Sequence, residues 1–336
     1  MTCYMVRAGS GGKYIDKFLS ESVVAVGFNA GDLILPSSRD EIIQYIRSKS
    51  PNSKSGTIIS DASQLNKFIN IISVDDYVIA YDSIDRIYHY GKVNGLAKID
   101  TLISGLEVNR SVKWIGSKSR DTLPVKFRNS LGSISTIFII SDDILEMIMN
   151  PSEVVDPNCI VQSNIPLSDD VVDEGNDYED IELKGKELIK DKILALDFNE
   201  LPKLFGEILK AMGYKVTVGG AGPDRGIDIF ASPDGLGLEL PRIKVEVKHR
   251  SETKIGAPLI RSFMGVLREG DRGIYVSTGG FAKDAHYEAE RSSIPIALID
   301  LDKMADLIIN NYDKFDSNGR ILMPLVKVYW PVTNEV

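Results

Sequence analysis

The sequence predicts a two-domain chain of α+β / α/β class: a mostly β, barrel-like N-terminal domain, then an α/β domain on a central mixed sheet. Three observations predict it. The chain has 336 residues, about twice a typical single domain. Short β-branched and aromatic runs crowd its first part, whereas strand and helix patterns alternate in its last part. Between them, residues 151–187 combine Pro, Ser and Asn with a dense acidic run, the composition of a linker. The implied division is a domain over 1–150, a linker over 151–187, a domain over 188–316 and a tail over 317–336.

In the first domain, strands are predicted at Val23–Phe28, Tyr77–Tyr81, Ile87–Val93, Val112–Ile115 and Ile134–Ile140, separated by Gly, Asn, Asp and Ser. Helices are predicted at Arg39–Lys49, where Ile42, Ile43 and Ile46 fall at amphipathic spacing, and at Ala62–Ile72. The stretch Val6–Lys13 is rich in glycine but is not a nucleotide loop. A P-loop needs two glycines separated by four residues, then Lys followed by Ser or Thr, and here Tyr14 follows Lys13. The linker's acidic run reads as a solvated spacer; the sharper reading is a negative segment that covers a basic groove until DNA displaces it.

In the second domain, Leu204, Ile208, Leu209 and Met212 mark one face of a helix that ends at Gly213. Strands follow at Lys215–Val218, Ile227–Ala231 and Ile243–His249. A helix over Ala257–Leu267 carries Pro258 in its first turn, where the missing N–H costs nothing. A strand at Gly273–Ser277, a helix at Ala282–Glu290, a strand at Ile296–Ile299 and a helix at Asp302–Asn311 complete the unit.

Charge and composition exclude several function classes. Lys plus Arg number 39 against 48 Asp plus Glu, a net charge of -9. That balance excludes polyanion binding through overall charge but leaves room for a local basic groove. No apolar run approaches the roughly 20 residues that cross a bilayer, and the first residues lack a secretory core, so a soluble cytoplasmic protein with no membrane partner is expected. The only cysteines, Cys3 and Cys159, and the only histidines, His89, His249 and His286, lack zinc-ligand spacing.

The chemistry concentrates in DRGIDIF (Asp224 to Phe230) and IKVEVK (Ile243 to Lys248). Side chains alternate across a strand, so Lys244, Glu246 and Lys248 share one face while Val245 and Val247 point into the core. Asp228, on a neighbouring strand, can meet Glu246 in a two-carboxylate oxygen site. Hard divalent cations favour that set, completed by water, phosphate oxygens and a carbonyl such as that of Val247. Lys248 is then placed to orient or deprotonate a water and to offset charge on a phosphate. The competing reading makes Asp228 a turn cap and Glu246–Lys248 an exposed ion pair.

With the helix ILKAMGY (Ile208 to Tyr214), the turn GPDRGIDIFA (Gly222 to Ala231), the EVK triplet and YVSTGGFAKDA (Tyr275 to Ala285), the order of motifs resembles the Mrr-like restriction endonucleases of the PD-(D/E)XK nuclease superfamily, over residues 195–315. The resemblance implies a restriction-endonuclease-like fold for the second domain and hydrolysis of DNA phosphodiesters. It implies Mg2+, with Mn2+ as a substitute, and Asp228, Glu246 and Lys248 as the catalytic residues. Asp228, Glu246 and Val247 would be metal ligands. The family often carries an acidic residue near the start of the first helix, where this chain has Pro202; Glu207 and Glu200 are the candidate replacements.

Lys244, Lys248, His249, Arg250, Lys254 and Arg261 form a local basic cluster suited to phosphates, with solvated surface charge as the plainer reading for Lys254 and Arg261. Ser277 and Thr278 begin a Gly-rich turn that either reverses the chain or contacts a phosphate through its amides. In the first domain, VIAYDSIDRIYHYGKV, RSVKWIG, SRDTLP and RNSLGSISTIF resemble a domain found ahead of some Mrr-like nucleases and, more loosely, PUA and EVE modules. That implies an aromatic base pocket in which Tyr81, Tyr88, Tyr90 and Trp114 stack and Arg128, Asn129 and Ser130 hydrogen-bond. The competing reading places the aromatics in the β-domain's core.

Two function classes follow. One is a metal-dependent DNA endonuclease of a restriction or anti-phage defence system, with modified double-stranded DNA as a candidate target. The other is a non-catalytic or partner-dependent nucleic-acid sensor on a nuclease fold. Cutting both strands needs two active sites or sequential nicks, so a homodimer or an assembly on DNA is expected.

Overall fold

The computed structural model describes residues 1–132, 135–150, 177–219, 226–249 and 253–329. Two compact units divide at Lys184 and Gly185.

In the first unit the strands are β1 (Cys3–Val6), β2 (Val23–Val26), β3 (Tyr77–Asp82), β4 (Ile87–Val93), β5 (Lys98–Ile103), β6 (Leu106–Ser119) and β7 (Ile137–Ile140). They form a mixed sheet ordered β2-β6-β4-β3-β1-β7, with β5 paired to β6; β1 and β3 are parallel and the other pairs antiparallel. The unit is sheet-rich, as expected, but the sheet is open rather than barrel-like: among the described residues no pairing joins β2 to β7. Helices cover both faces, so burial is achieved without closure. On one face pack α1 (Ile15–Ser20), α2 (Arg39–Lys49) and α3 (Ser55–Asn66), through Phe18, Ile42, Ile46, Ile58 and Leu65. On the other pack α4 (Val125–Ser130) and α5 (Asp142–Met149), through Phe127, Ile144, Leu145 and Ile148. A capping box fixes the start of α2: Ser38 accepts from the Glu41 N–H, and Glu41 accepts from the Ser38 N–H.

The helix α6 (Asp177–Leu194) begins inside the acidic segment read as a linker. Its last turns are anchored in the second unit by Ile189 and Ile193 and by Lys190, which sits 2.8 Å from Glu187 and 2.6 Å from Asp302. The linker reading of residues 151–176 lies outside the described residues.

The second unit continues with α7 (Glu200–Ala211), β8 (Lys215–Val218), β9 (Ile229–Ser232), β10 (Arg242–Lys248), α8 (Ala257–Met264), β11 (Asp271–Ser277), α9 (Lys283–Glu290), β12 (Ile296–Ile299), α10 (Leu301–Asn311) and α11 (Ser317–Leu322). The sheet order is β12-β11-β10-β9-β8, with β10, β11 and β12 parallel and β8 and β9 antiparallel. One face carries the larger core, with Leu204, Phe205 and Ile208 of α7 and Met304 and Ile308 of α10. The opposite face carries a smaller one, with Ile260 and Phe263 of α8, Ala285 and Ala289 of α9, and Tyr275. The stretch expected as a tail, 317–336, contributes here: it forms α11, whose Asn318 and Gly319 N–H groups donate to the capping Asp316, and its Met323 is fully buried. Among the described residues no helix is long and apolar enough to cross a membrane.

Candidate active site

β10 shows the alternation that period-2 reasoning predicts. Ile243, Val245 and Val247 are buried in the larger core, while Lys244, Glu246 and Lys248 lie half-buried on the opposite face. Asp228 sits one residue ahead of β9 and is tied to β10 twice. Its N–H donates to the Val245 carbonyl at 2.8 Å, and its Oδ2 accepts from the Val247 N–H at 2.7 Å. Within one strand residue N–H and C=O point the same way, so the Val247 carbonyl faces the Asp228 side, past the last paired residue of that edge, Val245.

Glu246 is set by two donors. Lys248 Nζ is 2.8 Å from Oε1, and the Tyr275 hydroxyl donates to the same oxygen at 3.2 Å. No hydrogen bond reaches Glu246 Oε2 or Asp228 Oδ1 among the described residues. Gly226 lies against this carboxylate: its φ is +83°, and an added Cβ would lie 3.4 Å from Oε2 and 3.7 Å from Oε1. Among the described residues each carboxylate therefore has one oxygen committed to the protein and one uncommitted. Restriction endonuclease folds generally use divalent metal ions, and hard oxygen donors of this kind fit such an ion. Among the described residues no group of three or more His, Cys, Asp or Glu is arranged to hold a metal, so any ion here would lean on water, phosphate and carbonyl oxygens as well.

The remaining basic residues divide. Lys244 is drawn away from the site: its Nζ lies 2.8 Å from Asp271 Oδ2 and donates to the Val266 carbonyl at 3.0 Å. Asp271 is 2 % exposed and also pairs with Arg242 at 3.0 Å. Burial alone would raise the Asp271 carboxyl. The Lys244 hydrogen bond, the Arg268 N–H and the charges of Lys244 and Arg242 outweigh it and hold the group below the usual carboxylate range. Arg261 pairs with Glu288 at 2.9 Å and links α8 to α9. His249 is half-buried, with Nδ1 3.1 Å from Thr278 Oγ1. Lys254 is exposed, and Arg250 lies outside the described residues, as do Gly222 to Arg225 of the turn motif.

Ser277 and Thr278 are both buried, at 0 % and 7 % exposure. Among the described residues Ser277 Oγ has no hydrogen-bond partner, and Thr278 donates its N–H to the Lys248 carbonyl at 3.2 Å; both side chains are turned from solvent. Neither candidate for the family's first-helix carboxylate meets the site. Glu207 is buried beside Gly319 and paired with Lys210 at 2.6 Å, and Glu200 accepts the Asp197 N–H at 3.0 Å in the turn that starts α7.

The aromatic set predicted for the first unit does not form one pocket. Trp114 packs on the α1–α3 face and donates its indole N–H to the Phe18 carbonyl at 3.1 Å. Tyr81, Tyr88 and Tyr90 lie on the α4–α5 face. A bulge between Tyr90 and Gly91 explains the split, because it pairs Tyr90 with Gly116 and Gly91 with Trp114. Tyr88 is 1 % exposed, stacks 4.6 Å from Tyr81 and accepts from Arg120 at 2.6 Å. Arg128 is half-buried, Asn129 is exposed, and Ser130 donates to the Lys126 carbonyl within α4 at 3.2 Å.

Tyr275 is the site residue that sequence reasoning missed. Its signal was present in YVST, but its meaning depends on the register that sets it beside Glu246.

Residues 193–308 match the family profile Mrr_cat, described as "Restriction endonuclease". Residues 5–140 match a domain of unknown function, DUF8426, rather than a PUA or EVE module. No curated protein matches the chain. Among solved structures, "MspJI Restriction Endonuclease in Complex with 27-mer Oligonucleotide" is similar at 10% identity and a TM-score of 0.33, covering 86% of this chain and 70% of that one. "DNA modification-dependent restriction endonuclease AspBHI" is similar at 11% identity and a TM-score of 0.33, covering 89% and 78%. With the profile match lying over the strands that carry Asp228, Glu246 and Lys248, residues 193–308 are a restriction endonuclease domain of the Mrr type.

Proposed function

We propose that the chain is a divalent-metal-dependent DNA endonuclease of a restriction or anti-phage defence system, with Asp228, Glu246 and Lys248 as its catalytic residues. One observation carries the reading: at one end of the sheet, Asp228 and Glu246 each have a carboxylate oxygen that no described residue engages, with the Lys248 ammonium 2.8 Å from Glu246. A structural ion pair would have no use for those two oxygens. A bound Mg2+ or Mn2+ supplies positive charge against phosphate oxygens. Asp228 and Glu246 would hold the ion with the Val247 carbonyl, and the Val247 N–H keeps the Asp228 carboxylate turned to that side. Lys248 orients the attacking water and offsets the charge that develops on the phosphate.

The first unit is the candidate recognition module, and double-stranded DNA with modified bases is the substrate class to screen first. Cleavage of both strands calls for a homodimer or for assembly on DNA. The test is a cleavage screen of plain and base-modified duplexes with Mg2+ and Mn2+, comparing the full chain with Asp228→Ala, Glu246→Ala and Lys248→Ala. The reading expects metal-dependent products that each substitution reduces by at least about a hundredfold. A chain that binds DNA and leaves every duplex intact, with or without metal, would favour the sensor.

A further inference from the structure

We infer that Tyr275 is a positioning residue for Glu246, setting that carboxylate for the ion; the inference rests on the endonuclease reading above. β10 and β11 are parallel, and Glu246 is paired in register with Tyr275, so both side chains leave the sheet on one face. The Tyr275 hydroxyl donates to Glu246 Oε1 at 3.2 Å, and Lys248 Nζ is 2.8 Å from that same oxygen. The phenol ring is 0 % exposed and is held edge-on by Phe263, with centroids 5.3 Å apart, and by Phe281, at 6.1 Å. A phenylalanine would fill this apolar site with no hydroxyl to satisfy, whereas the tyrosine sets a hydroxyl against Glu246. Glu246 has one oxygen doubly engaged, while the other, Oε2, lies nearest the position that a Cβ on Gly226 would take. The hydroxyl thus fixes which oxygen is held by protein and which is offered to an ion, as groups behind metal ligands generally do.

The test uses the full-length chain without DNA and reads Mn2+ binding by titration calorimetry, with thermal unfolding alongside. Tyr275→Phe is expected to weaken Mn2+ binding by about tenfold while the melting temperature stays within about 3 °C of the parent. Glu246→Ala should lose the binding, and adding Tyr275→Phe to Glu246→Ala should cause no further loss. Parental Mn2+ affinity in Tyr275→Phe, with binding lost in Glu246→Ala, would overturn the positioning role and leave the carboxylate site standing. Binding untouched by Glu246→Ala would overturn the carboxylate site itself, and the role of Tyr275 with it. A Tyr275→Phe chain that melts far below the parent would make the hydroxyl a fold element and also overturn the inference.

Discussion

The two ends of β10 carry the same kind of residue on the same face and put it to opposite uses. At one end, Lys244 meets Asp271, whose carboxylate is 2 % exposed and also takes Arg242 and the Arg268 N–H. Every strong acceptor there is used by the protein. At the other end, Lys248 meets Glu246, whose second oxygen is uncommitted among the described residues and lies beside Gly226. The Lys244 contact leaves its carboxylate saturated, whereas the Lys248 contact leaves half of its carboxylate over for the proposed ion. Sheet position sets the two ends apart, because Asp228 is bonded to β10 at Val245 and Val247, next to Lys248.

Matched substitutions break this comparison most sharply. Lys248→Met should reduce DNA cleavage by about a hundredfold or more and leave the melting temperature nearly unchanged. Lys244→Met should do the reverse, costing about 2 kcal/mol of stability while cleavage measured below the transition stays within a few-fold. Equal losses of cleavage in both would erase the distinction.

Asp271→Asn should destabilise the second unit by about 3 kcal/mol at neutral pH, since it leaves the partly buried Lys244 and Arg242 without the buried carboxylate they share. The pH dependence has a definite sign. The folded-state pKa of Asp271 is depressed, so its contribution is present above the unfolded carboxylate value of about 4. It is lost as pH falls from there through the lower folded value. The gap in urea midpoint between parent and Asp271→Asn should therefore close on acidification; a gap that widens would be inconsistent with the pairing.

A smaller effect is expected at the turn. Gly226→Ala forces a Cβ onto a residue with φ of +83° and places it 3.4 Å from Glu246 Oε2. It should cost about 1 kcal/mol of stability and weaken Mn2+ binding, whereas a purely conformational effect would leave the affinity alone. Smallest of all, Arg261→Ala removes an ion pair whose arginine side chain is 55% exposed and should change stability by less than about 1 kcal/mol.

Much of the second unit was legible in advance because its cues are local. The alternation of Ile243, Val245 and Val247 with Lys244, Glu246 and Lys248 fixes a two-faced strand, and Gly213, with φ of +102°, marks the end of α7 as predicted. What was not legible depends on register and long-range pairing. Nothing near Lys244 announces Asp271, and nothing near Glu246 announces Tyr275; both contacts exist because β11 lies parallel to β10. In the first unit, strand tyrosines and Trp114 read alike in sequence, yet one bulge puts them on opposite faces. The helical start of α6 was hidden by its acidic composition, because the buried Ile189 and Ile193 that anchor it come only after the charge run.

The central claim is that the Asp228, Glu246 and Lys248 end of the sheet binds a divalent ion and cuts DNA. The most direct measurement is cleavage of a plasmid and of duplexes with defined base modifications, titrated with Mg2+ and Mn2+, for the full chain beside Lys248→Met. Strand breaks should rise with metal, vanish with chelator and fall at least about a hundredfold in the variant. Breaks that persist in chelator, or that Lys248→Met makes as fast as the parent, would contradict it.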